Sequence, residues 1–191
     1  MISGANVLVT TTFDGAEHLL MGEKRYGQDA GLLVLPGGKS DLIDNPNDQG
    51  FLPFGLEPPV DTAVREVAEE TGVVILPSEL YFIGSIDYER SIQHDWCDEI
   101  DSEFATAIFR AVIAEKRARS FNLQPTRELN PEWFKTDDLP LERMQPDMQF
   151  WIKTALQMTR HDLMFGSFEY IRSAKDKPYS LKKHEVFING H

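Results

Sequence analysis

The sequence predicts an α+β domain with a mixed sheet, and three observations carry that prediction. Strand and helix signals alternate irregularly, several neighbouring strands are joined by hairpin-type turns, and two longer segments have a helical period. A doubly wound parallel sheet would instead place a crossover connection between successive strands.

The elements follow in chain order. Val7, Val9 and Thr11 alternate with Leu8 and Thr10, which predicts an early strand. "HLLMGEKRY" (18–26) is its hairpin partner, with Asp14-Gly15 as the turn. "GLLVL" (31–35) reads as a short buried strand that breaks at Pro36-Gly37-Gly38. Residues 40–56 have no period and carry turn residues, so they read as a loop. Residues 58–71 read as a helix. "LYFIGSIDY" (80–88) and "FATAIFRAVIA" (104–114) read as strands, and "PEWFKTDDLP" (131–140) as a short strand and a turn. "DMQFWIKTALQMTR" (147–160) reads as a second helix with Asp147 as N-cap, and "LMFGSFEY" with "KHEVFI" as a terminal hairpin. No repeat or linker divides residues 1–191, so the expectation is one domain.

Composition narrows the function. Hydrophobic residues make up 41% of the chain, which is enough for a packed core. A formal net charge of -12 argues against a face for long nucleic acid, because phosphate backbones are held by concentrated Lys and Arg. A small polyanion can still bind through bridging metal ions. Cys97 is the single cysteine, which excludes an intramolecular disulfide and points to a reducing cytoplasm. No run is apolar enough to span a membrane, and "MISGANVLVTTTF" has no basic region of a signal peptide.

The first helix concentrates negative charge. "EPPVDTAVREVAEETGVV" (57–74) holds five acidic residues and one arginine. Pro58 fits the first turn and Gly72 the left-handed position past the end. Val60, Ala63, Val64 and Val67 form an apolar stripe, and Glu66, Glu69 and Glu70 project from a neighbouring face. A bare Glu-Glu pair reads as a solvated face. Three adjacent carboxylates repel unless something positive sits among them. Arg65 can pair with one, and a hard divalent cation such as Mg²⁺ can neutralise the rest.

The fuller arrangement resembles the Nudix box. Gly37-Gly38 ends a strand. After a loop come Glu57, seven residues, Arg65-Glu66, Val67, Glu69-Glu70, Gly72 and Val73, at the family's spacing from Glu57 onward. The departure is upstream. Eighteen residues separate Gly38 from Glu57 where the family has five, so residues 41–55 read as a loop insertion. Its apolar "FLPFGL" reads as a lid or as an anchor on the core. The segment 127–157 is similar to the MutT/MTH1-type members, which clear oxidised purine nucleoside triphosphates. Glu128 precedes Pro131, Trp133 and Phe134, and Met144, Pro146 and Asp147 open the next helix.

The resemblance implies a Nudix fold, an α/β/α sandwich with a mixed sheet between helices. It implies a Mg²⁺-dependent pyrophosphohydrolase, with Mn²⁺ able to substitute, converting a nucleoside triphosphate and water to the monophosphate and pyrophosphate. An oxidised purine nucleotide such as 8-oxo-dGTP is one expected substrate. ADP-ribose, a dinucleoside polyphosphate, or a non-catalytic nucleotide-sensing role are the alternatives. Glu66, Glu69, Glu70 and Glu128 are the expected metal ligands, with Glu69 and Glu128 also assigned to catalysis and Glu128 as ligand or general base. Glu57 and Arg65 are expected to pair and fix the loop–helix geometry. Gly37 and Gly38 let the backbone approach phosphates, and Lys24, Arg25 and Lys39 offer cations. The family's base-reading set is only partly kept. Asp147 retains one aspartate, while Met148, Gln145 and Val34 replace other members. Gln145 and Asp147 are expected at a purine edge, with Trp151 or Phe150 stacking on the base. The expected partner is a small nucleotide, with the chain a monomer or homodimer.

"HDWCDEIDSE" (94–103) combines His94, Cys97 and five acids but lacks metal-ligand spacing, so it reads as a solvated loop. "SLKKH" and His191 read as a terminal surface segment.

Overall fold

The computed structural model describes residues 2–27, 29–43, 55–93, 98–173 and 179–189. The strands are β1 (Ile2–Phe13), β2 (Ala16–Lys24), β3 (Leu33–Val34), β4 (Gly37–Lys39), β5 (Leu42–Ile43), β6 (Gly55–Leu56), β7 (Leu80–Gln93), β8 (Asp98–Val112), β9 (Leu129–Lys135), β10 (Leu163–Arg172) and β11 (Ser180–Asn189). The helices are α1 (Pro59–Thr71), the single-turn α2 (Glu115–Ala118) and α3 (Met148–Gln157).

Among the described residues, nine strands form one sheet in the order β11-β10-β7-β8-β1-β2-β3, with β4 also on β1 and β9 on β2. β1 runs parallel to β8 and β10 parallel to β7, while the other pairs are antiparallel. The sheet is mixed, as the sequence predicts.

Alternation along the central strands builds two cores. Successive strand residues face opposite sides of a sheet. Leu8, Leu19, Met21 and Ile108 bury against Trp151, Ile152, Ala155 and Leu156 of α3. Val7, Val9, Leu20, Ala107 and Phe109 bury against Ala63 and Val67 of α1. The sheet therefore lies between α1 and α3, the sandwich expected.

Several boundaries differ from the sequence reading. β7 and β8 run on through the charged stretches 89–93 and 98–103, where Glu89 pairs with Glu103 and Arg90 with Ser102. Residues 98–103 are thus strand rather than loop, while His94 and Cys97 lie outside the described residues. Ladder pairing sustains these residues as strand where no apolar alternation announces it. α3 stops at Gln157, not 160. Buried Arg110 explains the stop: its guanidinium donates to the Leu156 carbonyl at 2.7 Å and the Met158 carbonyl at 3.2 Å. Those bonds hold the chain where the last helical carbonyls lack partners. The loop read at 40–56 has short strands at its ends, where Leu42 pairs with Leu56 and Ile43 with Gly55. Residues 44–54 of the inferred insertion lie outside the described residues. "SLKKH" belongs to the largely exposed β11, paired with β10 as the terminal hairpin expected; His191 is outside the described residues. Among the described residues, no helix is long and apolar enough to cross a membrane.

Candidate active site

α1 is set by its ends and by one face. Pro58 and Pro59 open it, and Gly72 closes it with a left-handed backbone (φ 72°) while donating its N–H to the Ala68 carbonyl at 3.0 Å. Ala63 and Val67 anchor the helix on the sheet. This leaves the glutamates facing β4, which pairs with β1 through Asn6↔Gly37 and Ala5↔Gly38.

A cleft of about 440 Å³ opens between these elements. Its lining includes Glu66, Glu69, Glu70 and Glu128, with Gly37 and Gly38 at the strand and Lys24, Lys39, Arg65 and Arg127 as the cations. Close approach of the β1 backbone requires the glycine at 37, and the bare Gly38 gives the Glu66 carboxylate its place beside β4. A Cβ on Gly38 would lie 2.3 Å from Glu66 Oε1, and one on Gly37 would lie 2.3 Å from the Ala5 carbonyl oxygen.

Arg65 organises the acids. Its Nη2 donates to Glu57 Oε2 at 2.9 Å and to the Lys39 carbonyl at 3.0 Å, and its Nη1 donates to Glu66 Oε1 at 2.9 Å and Glu69 Oε2 at 3.2 Å. Glu57 also accepts from the Thr62 hydroxyl at 2.9 Å. The Arg65 hydrogen bonds hold the Glu57 carboxyl below its usual range. The bond to Glu57 also leads the causes that raise the Arg65 pKa, so the guanidinium stays charged. Arg65 therefore joins the start of the box, the β4 backbone and two helix glutamates.

Glu70 is compensated differently. It is 6% exposed, and one oxygen accepts the Gly37 N–H at 2.8 Å. Burial pushes its carboxyl up to about 8, against the Gly37 hydrogen bond, and the neighbouring charges of Glu66 and Glu128 push the same way. Burial also raises Glu66, with Arg65 opposing it.

This donor set suits a hard divalent cation. It is all oxygen, lines one cleft, and includes a buried carboxylate whose charge the protein itself leaves undercompensated. Among the described residues, no three acidic, imidazole or thiol groups converge on one point as a ready-made cage. Arg65 and the Gly37 N–H engage Glu66, Glu69 and Glu70 in their present orientations.

The family assignment rests on a match over most of the chain. The NUDIX domain model matches residues 3–155. The chain belongs to the NUDIX family. Its family and fold are those of the Nudix pyrophosphohydrolases. A curated relative from Schizosaccharomyces pombe, the uncharacterized protein C14C4.10c, is 24% identical over 175 residues, which cover 84% of this chain and 48% of the relative. The chain thus spans about half the length of the curated relative it matches. Among solved structures, the mutator MutT protein of Bacillus halodurans is similar at TM-score 0.61 and 22% identity, covering 96% of this chain and 95% of that one. The NUDIX domain of Shewanella oneidensis NrtR, crystallised with ADP-ribose, gives TM-score 0.52 and 16% identity, covering 82% and 86%. These likenesses concern the fold.

The residues expected at the base of the substrate lie elsewhere in this Nudix domain. None of Gln145, Asp147 and Trp151 lines the carboxylate cleft. Trp151 is fully buried in the α3 core, so it has no face open for stacking, which corrects that expectation. Phe150 is the exposed aromatic and packs on His184, with ring centroids 3.8 Å apart. Gln145 Nε2 donates to Asp29 Oδ2 at 2.9 Å. Asp147 makes no side-chain cap, which corrects the N-cap reading. It is 5% exposed and accepts the hydroxyls of Tyr88 at 2.7 Å and Tyr170 at 2.8 Å. Burial raises both tyrosine pKa values, and the Asp147 charge adds to it. Arg25 does not line the cleft but ties β2 to the Glu128 segment, its N–H donating to the Glu128 carbonyl at 2.9 Å.

The sequence reading passed over Thr126 and Arg127, which line the cleft beside Glu128. A threonine two residues before Glu128 is the signal that could have found the first, because such hydroxyls hold tight turns. Arg127 had only its place next to Glu128 as a cue.

Proposed function

We propose that residues 1–191 act as one domain, a Mg²⁺-dependent nucleoside triphosphate pyrophosphohydrolase that yields the monophosphate and pyrophosphate. The observation that carries this reading is the cleft itself, where Glu66, Glu69, Glu70 and Glu128 share a lining with Lys24, Lys39 and Arg127. Carboxylates suit a divalent cation, and the cations suit the phosphate oxygens that such an ion leaves uncovered.

Mg²⁺, or Mn²⁺ in its place, would be held by Glu66, Glu69, Glu70 and Glu128, and it would supply charge neutralisation and a lowered pKa for attacking water. The Glu69 side chain is 61% exposed, so it is free to turn from Arg65 toward a bound ion. The absence of a side chain on Gly38 lets the Glu66 carboxylate lie directly against the β4 backbone, which brings that backbone and the carboxylate to one side of the cleft. Glu128, which lines the cleft from a separate segment, would ligate the ion or take a proton from water. Water adds to phosphorus and gives up a proton to a carboxylate of the site, the bridging P–O bond between the α and β phosphorus atoms breaks, and the electron pair leaves with the departing pyrophosphate or monophosphate. Arg65 stays on Glu57 and the Lys39 carbonyl and keeps the helix aligned with β4.

The 8-oxo-purine reading rests on the resemblance of residues 127–157 to the MutT/MTH1-type members, and it draws no support from Gln145 and Asp147, which lie outside the carboxylate cleft. A broader nucleoside diphosphate reading, with ADP-ribose as the representative, draws support from the similar NrtR domain crystallised with that ligand. A small nucleotide as partner and a cytoplasmic setting fit an acidic chain with one cysteine. A substrate panel with Mg²⁺ and product identification decides between these readings. Pyrophosphate and monophosphate from triphosphates support the first. Hydrolysis confined to ADP-ribose or dinucleoside polyphosphates supports the second. Unchanged turnover in excess EDTA defeats the metal-dependent reading.

A further inference from the structure

The two acid-bearing parts of the cleft are far apart in sequence, yet one side chain joins them. Thr126 Oγ1 lies 3.2 Å from the carbonyl oxygen of Glu70. It also accepts the N–H of Glu128 at 3.2 Å and that of Leu129 at 3.0 Å. A threonine hydroxyl has one proton to donate. Two carbonyls are in range, those of Glu70 and Leu129, both at 3.2 Å. The Leu129 carbonyl already accepts the Thr126 N–H at 2.8 Å. The Glu70 carbonyl is among the last in α1 and has no helical N–H ahead of it. The proton therefore belongs on Glu70.

We propose that Thr126 is a positioning residue, whose hydroxyl fixes the Glu128 turn against the C-terminal end of α1 and so sets the separation of Glu128 from Glu66 and Glu70. On the other side the segment is held by β2, where the Arg25 N–H donates to the Glu128 carbonyl and the Arg25 guanidinium to the Thr126 carbonyl. Thr126 lines the cleft but offers it no charge. Its role is to bring two carboxylate-bearing segments to one cation. This rests on the proposed metal site.

The test compares Thr126→Val, which keeps shape and removes the hydroxyl, with Thr126→Ser, which keeps the hydroxyl. Thr126→Ala carries the same comparison if the valine variant does not fold. Calorimetric binding of Mn²⁺ to the full chain and steady-state kinetics on the best panel substrate are the readouts. Thr126→Val is expected to weaken Mn²⁺ binding and lower kcat by about tenfold each, with KM within about twofold, as for residues that orient metal ligands. Thr126→Ser should restore both. In a Glu128→Gln background the hydroxyl should no longer matter. Native Mn²⁺ affinity and kcat in Thr126→Val, a serine variant as impaired as the valine one, or an undiminished loss in the Glu128→Gln background would overturn the proposal. If Glu70→Gln also binds Mn²⁺ and turns over as the native chain does, the metal-site reading itself fails. If Glu70→Gln is impaired and Thr126→Val is not, only the positioning role fails.

Discussion

Glu70 and Asp147 are both nearly sealed from solvent, one beneath each face of the sheet, and they are opposites in how they are satisfied. Asp147 takes a tyrosine hydroxyl on each oxygen. Glu70 takes one backbone N–H and faces Glu66 and Glu128, and its carboxyl is pushed up to about 8. A buried charge with full hydrogen bonding serves the fold, whereas one left short of partners invites a cation. Burial alone does not separate the two. The completeness of compensation does.

The largest expected effect falls on Glu70. Glu70→Gln keeps the side-chain length and an acceptor for Gly37 but removes a charge from the metal-facing set. Turnover on the best substrate should drop on the order of a hundredfold or more, while EDTA-treated protein melts no lower than the native chain. A variant with native kcat would break the contrast. Asp147→Ala should do the reverse. Two buried tyrosine hydroxyls lose their acceptor, at a cost of roughly 2–4 kcal/mol by urea unfolding, with metal-dependent turnover retained. A changed purine-to-pyrimidine ranking without that destabilisation would return Asp147 to a base-reading role.

The pH dependence sharpens the same contrast. A carboxyl whose folded pKa is raised lends stability below its unfolded value, and that stability is lost as pH climbs toward the folded value. For Glu70 the window runs from the ordinary 4.5 to about 8. Metal-free native protein should therefore lose melting temperature between pH 5 and 8 more steeply than Glu70→Gln. Parallel pH profiles for the two would remove Glu70 as the cause. The smallest effect concerns the far end of α3. Arg110→Lys keeps a cation but cannot serve the Leu156 and Met158 carbonyls and Glu17 with one planar fork, and should cost about 1–2 kcal/mol in the same unfolding assay, without a change in kcat.

What the sequence disclosed follows from the range of the forces involved. α1 was legible almost residue by residue, because its prolines, its Gly72 cap and its apolar stripe are all local signals. The pairing of Arg65 with Glu57 was legible through the resemblance to the Nudix box, since Glu57 stands before the helix and Arg65 eight residues on, well inside it. Asp147 was not. Its partners Tyr88 and Tyr170 stand 59 and 23 residues away, and only the β7–β10 pairing brings them to one place. A local reading sees an aspartate before a helix and assigns a cap. Trp151 misled in the same way, because an aromatic on an amphipathic helix reads equally as core or as stacking surface. Thr126 had a local cue in its place two residues before Glu128, but its link to α1 stayed hidden because the partner there is a backbone carbonyl, which leaves no mark on side-chain composition.

The paired strands β5 and β6 carry a consequence for the interrupted box. Leu42 meets Leu56, and the Glu57 N–H donates to the Asp41 carbonyl at 2.8 Å. The chain that leaves at residue 43 thus rejoins its own path at residue 55, like a side road that returns to the same junction. Glu57 reaches Arg65 from a starting point that the excursion does not move. The interval between Gly38 and Glu57 is long when counted along the polypeptide and short when measured across this neck. Such a neck lets the chain between residues 43 and 55 change length or composition while the acids behind it keep their alignment.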